Sequence, residues 1–263
     1  MTISSRSGII ILFVTIVIST LVLFPILQTV VERDPQLSAY DEDWNDISNF
    51  REALEENEEI SYNVSAILSN PAVLDDISNP SSSLLVIAGT ESPYTNLELE
   101  ILVRFMENGG SILVLGDYDY SNTIAQLFDI EFVQNKLWDQ NYKGNVSLIQ
   151  TTAYLGPSQS YSVLLNDPVA IKEMRDPQSK EVGWTGNVVW SQNELMKTSK
   201  NSWIDSDNDG AITPDDEAAP ASGFWLGIEY GIRTTDGENL GSAVFISDSS
   251  IGINHMWNEA QNS

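Results

Sequence analysis

The sequence predicts an α/β fold, with a doubly wound, mostly parallel sheet, a β-rich insertion and one transmembrane helix ahead of them. Three observations carry that prediction. The stretch Ser82 to Tyr120 reads as strand, helix, tight turn, strand, which is one right-handed crossover unit of a parallel sheet. Gly8 to Val31 is an uncharged apolar run. Between the central unit and the last strands lie short β-like pieces separated by Gly, Pro and Asn.

The crossover unit can be justified residue by residue. Leu84-Leu85-Val86-Ile87-Ala88-Gly89 is a short apolar run closed by glycine, the pattern of a strand buried on both faces. Thr95 and Glu98 have the spacing of a capping box, in which each side chain satisfies a free amide at a helix start. Leu97, Ile101, Leu102 and Phe105 then share one helical stripe. Asn108-Gly109-Gly110 supplies the left-handed residue that ends a helix. Ser111-Ile112-Leu113-Val114-Leu115-Gly116-Asp117 is the second strand.

The apolar run from Gly8 to Val31 is long enough, at about two dozen residues, to cross a bilayer as a helix. The competing reading is a cleaved signal peptide, whose apolar region would be shorter and end in small residues. This run ends Leu23-Phe24-Pro25-Ile26-Leu27, which favours an uncleaved signal anchor. Arg6 precedes it and all 38 acidic residues follow it. The expected placement is therefore a single pass through the plasma membrane, with residues 1–7 inside and the C-terminal domain outside.

Beyond the run the chain carries 11 basic and 38 acidic residues, or −27. So large a negative charge argues against nucleic acid and anionic lipid surfaces as partners. Zero cysteines exclude a disulfide framework and a cysteine nucleophile. Asn63-Val64-Ser65 and Asn145-Val146-Ser147 match the glycosylation acceptor pattern.

Residues 32–43 read as a polar linker, 44–258 as the domain with its insertion at 137–220, and 259–263 as a tail. Asp46 to Glu56 has Ile47, Phe50 and Leu54 at helical spacing, a surface helix. Tyr62 to Ile67 alternates as a strand does. Thr123 to Phe128 is a short helix and Ile130 to Val133 an edge strand. Phe224 to Tyr230 and Ser242 to Ser247 are two late strands joined by the turn Thr235-Asp236-Gly237-Glu238.

The sharpest local motif runs from Asp205 to Asp216. Asp205, Asp207 and Asp209 stand at positions one, three and five of a twelve-residue loop, with Gly210 at six and Ile212 at eight. That spacing matches the calcium loop of an EF-hand, because a hard cation needs six to eight oxygens at about 2.3–2.6 Å around a sharp turn. Ala211 would contribute its carbonyl, and Asp216 stands where Glu is usual, with Glu217 as a substitute if the register slips. Asn201-Ser202-Trp203 before the loop and Ala218-Ala219-Pro220 after it are not helical flanks, so the expected role of calcium is structural. A merely acidic, solvated turn is the alternative.

At the sheet, three strands end in Gly89-Thr90, Gly116-Asp117 and Ser247-Asp248. Ligands of open parallel sheets bind beyond the carboxyl ends of the strands. Asp117, Asp119, Asp248, Ser249, Asn254 and His255 are thus the candidate ligand rim. The bland alternative is that Asp and Ser after a strand cap the next helix. A Ser249, His255 and Asp constellation can be written down, but no G-x-S-x-G elbow accompanies it. No phosphate-binding glycine loop, zinc spacing or dinucleotide fingerprint appears either.

Leu84 to Asp117, with its "LLVIAG", helix and "ENGGSILVLGD", resembles the class I glutamine amidotransferase-like domain of membrane-anchored proteins of unknown function. That domain also occurs in gliding-motility ABC auxiliary proteins and in an intraflagellar-transport subunit. The later "NSWIDSDNDG", "GIEYG" and "AVFISDSSIGIN" are similar to archaeal members, and the resemblance covers roughly Tyr40 to Asn258. It implies an amidotransferase- or flavodoxin-like sheet without glutaminase chemistry, since Gly116-Asp117-Tyr118 occupies the turn where those enzymes carry cysteine. The function expected is a non-catalytic, membrane-anchored binding or scaffold component of an envelope complex, beside a protein partner such as a transporter. The alternative is a cell-surface hydrolase that acts on glycan or peptide through the acidic rim.

Overall fold

The structure is a computed structural model that describes residues 37–56, 63–67, 71–118, 120–156, 158–174, 182–184 and 188–257. After helix α1 (Ser48–Glu55) and two short 3-10 turns (Pro71–Asp76 and Pro80–Ser82), the crossover unit forms as β1 (Leu84–Ala88), α2 (Asn96–Glu107) and β2 (Ser111–Leu115). Thr95 caps α2 through its side chain, which accepts from the Glu98 amide, while the Glu98 carboxylate accepts from the Thr95 amide. Gly109, at φ 96°, then turns the chain into β2.

A short helix α3 (Asn122–Ala125) and a 3-10 turn (Gln126–Phe128) lead into β3 (Ile130–Phe132), β4 (Leu137–Asp139) and β5 (Tyr142–Lys143). Next come β6 (Asn145–Tyr154), β7 (Ser160–Asn166), β8 (Ile171–Glu173) and β9 (Val188–Lys197). The chain continues through β10 (Ser202–Ile204), β11 (Glu217–Ala218), β12 (Trp225–Thr234) and β13 (Asn239–Ile246) to helix α4 (Asn254–Trp257).

The main sheet has seven strands in the order β1-β2-β13-β12-β8-β3, with β9 also paired to β12. Only β1–β2 and β2–β13 are parallel; β13–β12, β12–β9, β12–β8 and β8–β3 are antiparallel. Two small three-stranded sheets, β11-β10-β4 and β5-β6-β7, complete the strands.

This corrects the doubly wound α/β expectation and its amidotransferase- or flavodoxin-like form. A parallel pair needs a crossover of a dozen or more residues, and the chain supplies such a helix between β1 and β2. The four-residue turn Thr235–Glu238 between β12 and β13 is too short for one, so those strands pair antiparallel. The result is a mixed, strand-rich fold. Within the 137–220 stretch, β8 and β9 belong to the main sheet. Residues 63–67 form no strand.

The described residues contain no helix long and apolar enough to cross a membrane. The single-pass placement, with its transmembrane and signal-anchor descriptors, finds no support among them, and the 8–31 run on which it rests lies outside the described residues.

Both faces of the sheet are covered, each by a different layer. On one face Ile112, Val114, Ile228, Tyr230 and Phe245 pack with Leu102, Phe105 and Met106 of α2 and with Phe128. Phe128 is the hub there, with Trp184, Trp190, Tyr230 and Phe245 ring centroids 5.2 to 5.6 Å away. On the other face Leu195, Leu226, Val244 and Ile246 of the sheet meet Leu137, Ile149, Leu165 and Ile204, all from strands of the two smaller sheets. Strands therefore occupy the layer where a doubly wound fold would place its second set of helices. Leu226 and Ile228 would share a face in a regular strand, yet they serve opposite layers. The register of β12 against β9 shifts at Gly227, and that bulge turns the chain over.

Candidate functional site

Because β1, β2 and β13 run parallel, their carboxyl ends lie side by side. The structure accordingly brings Thr90, Asp117, Asp248 and Ser249 to one end of the sheet. What it makes of them is a closed hydrogen-bond network. Ser249 donates its hydroxyl to Asp117 Oδ2 at 2.5 Å and its amide to the same oxygen at 3.3 Å. Gln134 Nε2 donates to the Asp117 carbonyl at 2.7 Å, which ties the loop after β3 to the rim.

Asp248 is fully buried. Its Oδ2 accepts from the Asn166 amide at 2.7 Å, and its Oδ1 accepts from the Ser250 amide and hydroxyl at 2.8 and 2.7 Å. Burial pushes its carboxyl up to about 7, the three donors pull the other way, and the Asp117 charge adds a smaller push upward. Tyr118 is raised above the usual phenol range, first by burial and then by the charges of Asp167 and Asp117. Asn166, Asp167, Gln134 and Tyr118 thus belong to the rim and were missed in the sequence. Asn166 and Asp167 end a strand in the stretch read as an insertion, and that reading hid them.

The remaining rim candidates separate. Asp119 lies outside the described residues. Asn254 is a clamp on the N-terminal segment: its Nδ2 donates to the Asp43 carbonyl at 2.8 Å, and its Oδ1 accepts from the Asn49 amide at 2.9 Å. His255 is exposed, packs edge-on against Trp44 at 6.4 Å between ring centres, and donates its amide to the Trp44 carbonyl. Asn254 and His255 therefore hold the segment before α1. Ser249 has Asp117 as its partner, so the Ser249–His255 constellation is absent.

The Asp205–Asp216 loop joins β10 to β11, which pair antiparallel through Trp203–Ala218 and Ile204–Glu217. Strands, not helices, flank it. Asp205, Asp207 and Asp209 each present a carboxylate oxygen, and these oxygens lie within 4.8 Å of one another. That spread fits a common cation at about 2.3–2.6 Å from each, since oxygens on opposite sides of such an ion stand roughly 5 Å apart. Asp205 is buried and accepts the amides of Asp209 and Gly210 at 3.1 and 3.0 Å. Asn208 and Gly210 take positive φ, 57° and 76°, which lets the turn close. Asp216 staples the loop base, accepting from the Ser206 amide at 2.9 Å and the Thr213 amide at 2.7 Å, and its charge reaches Asp207. Ala211 is tied in by its amide, which donates to Asp209 Oδ1 at 2.8 Å.

The sequence pattern of the family described as "Domain of unknown function (DUF4350)" matches residues 39–263. The chain belongs to the DUF4350 family. No curated protein matches it. Among solved structures, the DUF4350 chain is similar to the mmIFT52 N-terminal domain at 13% identity and a TM-score of 0.53, over 82% of this chain and 84% of that one. At that identity the likeness is one of fold, and it agrees with the intraflagellar-transport part of the resemblance noted from the sequence. The exo-beta-1,4-mannosidase Op5Man5 from Opitutaceae bacterium strain TAV5 is 14% identical over 70% of this chain and 22% of that one. Its TM-score of 0.29 carries no argument.

Proposed function

We propose that this DUF4350 chain is a non-catalytic binding domain that serves as a scaffold for a protein partner, with its β10–β11 hairpin held by a structural calcium ion. The observation that carries the reading is the state of the rim. Ser249 closes on Asp117, Asp248 is buried under three donors, and the only histidine lies against Trp44. A general acid or base must reach a substrate proton, and a nucleophile needs a base beside it. The rim gives Ser249 a carboxylate partner but no imidazole, and it buries the carboxyl of Asp248 away from any substrate. Calcium is supported by the convergence of Asp205, Asp207 and Asp209 within 4.8 Å and by the loop spacing.

One observation favours the alternative of a hydrolase. A carboxyl raised to about 7 is in the range that general acids use. Complete burial removes Asp248 from contact with substrate, so we place it in the structural network.

The test is a panel of chromogenic glycosides and peptides incubated with the purified protein, alongside Asp117→Asn. No turnover above buffer is expected. Turnover by the wild type that Asp117→Asn abolishes would overturn the non-catalytic reading. A partner recovered stoichiometrically by cross-linking in native extracts, and lost on mutation of one exposed patch, is the positive result.

A further inference from the structure

Away from the rim, a shallow open groove of about 690 Å³ lies beside the β5–β6–β7 sheet, bordered on its other side by the segment that leaves β9. Its lining is hydroxyl, amide and phenol: Gln140, Tyr142, Gln150, Thr152, Tyr154 and Ser162 carry most of it. Among the described residues no carboxylate lines it, in a chain with 38 acidic residues. Lys197 is the one cation of the lining, and Glu194 already holds its ammonium at 2.7 Å.

The wall is preorganised. Gln150 Nε2 donates to Ser162 Oγ across β6 and β7 at 2.7 Å. Thr151 Oγ1 donates to the Lys197 carbonyl at 2.7 Å, fastening β6 to β9, and Asn201 Nδ2 donates to Gln140 Oε1 at 3.0 Å. Gln150, Thr152 and Tyr154 alternate along β6 and are all exposed, so they share its outward face. Tyr154 ends that row, whereas Tyr142 on β5 is paired to the buried Ile149 and so lines the groove without belonging to the row. Both tyrosines are more than half exposed, at 52% and 57%.

We propose that this groove binds a neutral oligosaccharide of a few sugar units. Amide and hydroxyl side chains both donate and accept, which matches a ligand whose hydroxyls do the same. Tyrosine faces offer apolar surface to the ring faces of sugars at small entropic cost. An anionic ligand would need free cations here and would meet the repulsion of a chain at −26. A cationic ligand would find no carboxylate in the lining, and an apolar one would strand the polar walls. The assignment does not use the rim, so it goes beyond the scaffold reading without resting on it.

The test is titration calorimetry of the full chain with maltotriose, cellotriose, mannotriose and tri-N-acetylchitotriose, with trigalacturonate as an anionic control. At least one neutral trisaccharide should bind saturably. Tyr154→Ala and Gln150→Ala should each weaken it by about tenfold or more, with melting temperatures unchanged because both residues are exposed. Tyr40→Ala, an exposed tyrosine outside the groove lining, should leave binding intact. Absence of binding by all four sugars, preference for trigalacturonate, or indifference to both groove variants would overturn the proposal. Chromatography of the recovered sugar separates the two readings. Cleavage lost in Asp117→Asn would sink the non-catalytic function and leave the groove assignment standing.

Discussion

Ser249 and Asp117 stand 132 positions apart, yet the serine hydroxyl donates to the aspartate at 2.5 Å across the ends of two parallel strands. The bond joins the loop after β13 to the loop after β2. Removing it in Ser249→Ala should lower the unfolding free energy by about 1.5–3 kcal/mol, the worth of a hydrogen bond to a charged acceptor. A urea titration should show an earlier midpoint at unchanged slope. An unchanged midpoint would mean that the bond contributes nothing.

Asp248 makes stability depend on pH in a definite sense. Its carboxyl rises from 3.8 to about 7 on folding, so the native state holds the proton more tightly than the unfolded chain. Its contribution is complete below about pH 4 and is lost as pH rises toward 7. A rise of that size corresponds to about 4 kcal/mol for a fully buried group. The unfolding free energy of the wild type minus that of Asp248→Asn should therefore fall between pH 4 and 7. A flat difference would show that Asp248 does not titrate in this window.

Calcium should raise the melting temperature, because a ligand bound only by the native state stabilises it. At a hundred times its Kd the gain is about 2.7 kcal/mol. Asp205→Asn and Asp207→Asn should abolish the response, and a chelator should reverse it in the wild type. A melting curve indifferent to calcium would remove the ion from the hairpin.

Two glycines should differ sharply in their tolerance of alanine. A Cβ at Gly241 would fall 1.8 Å from the Gly110 carbonyl oxygen, a backbone atom that cannot yield without moving β2 from α2. At Gly227 the obstacle is the Met196 terminal methyl at 2.6 Å, the end of a flexible side chain. Gly241→Ala should cost about 3 kcal/mol or more and Gly227→Ala about 1 kcal/mol. Equal losses in chemical denaturation would contradict the packing.

The crossover unit was legible because its signals are local. The capping box, the glycine turn and the stripe of Ile101, Leu102 and Phe105 each lie within a few residues and are present in the structure, although Leu97, read as part of that stripe, is exposed. The convergence of Thr90, Asp117 and Ser249 followed from the same local pattern, since parallel neighbours end on one side. Asn166 was not legible, because the end of β7 meets Asp248 only through a layer that no local spacing encodes. His255 was misplaced for the converse reason. Its distance in sequence from Ser249 is short, but the backbone of α4 is drawn to Trp44 and Asp46 instead.

The fold class shows the division most clearly. Turn length alone dictates that β12 and β13 are antiparallel, just as helix length dictates that β1 and β2 are parallel. The sequence also spells the Asp205–Asp216 loop, since its turn chemistry needs only neighbours. Which layer covers the second face of the sheet was decided in three dimensions, where Ile149 and Leu165 meet Leu226. Burial of apolar area is non-directional, so the pattern of apolar residues marks what must be covered. Only the packed chain chooses whether helices or strands do the covering.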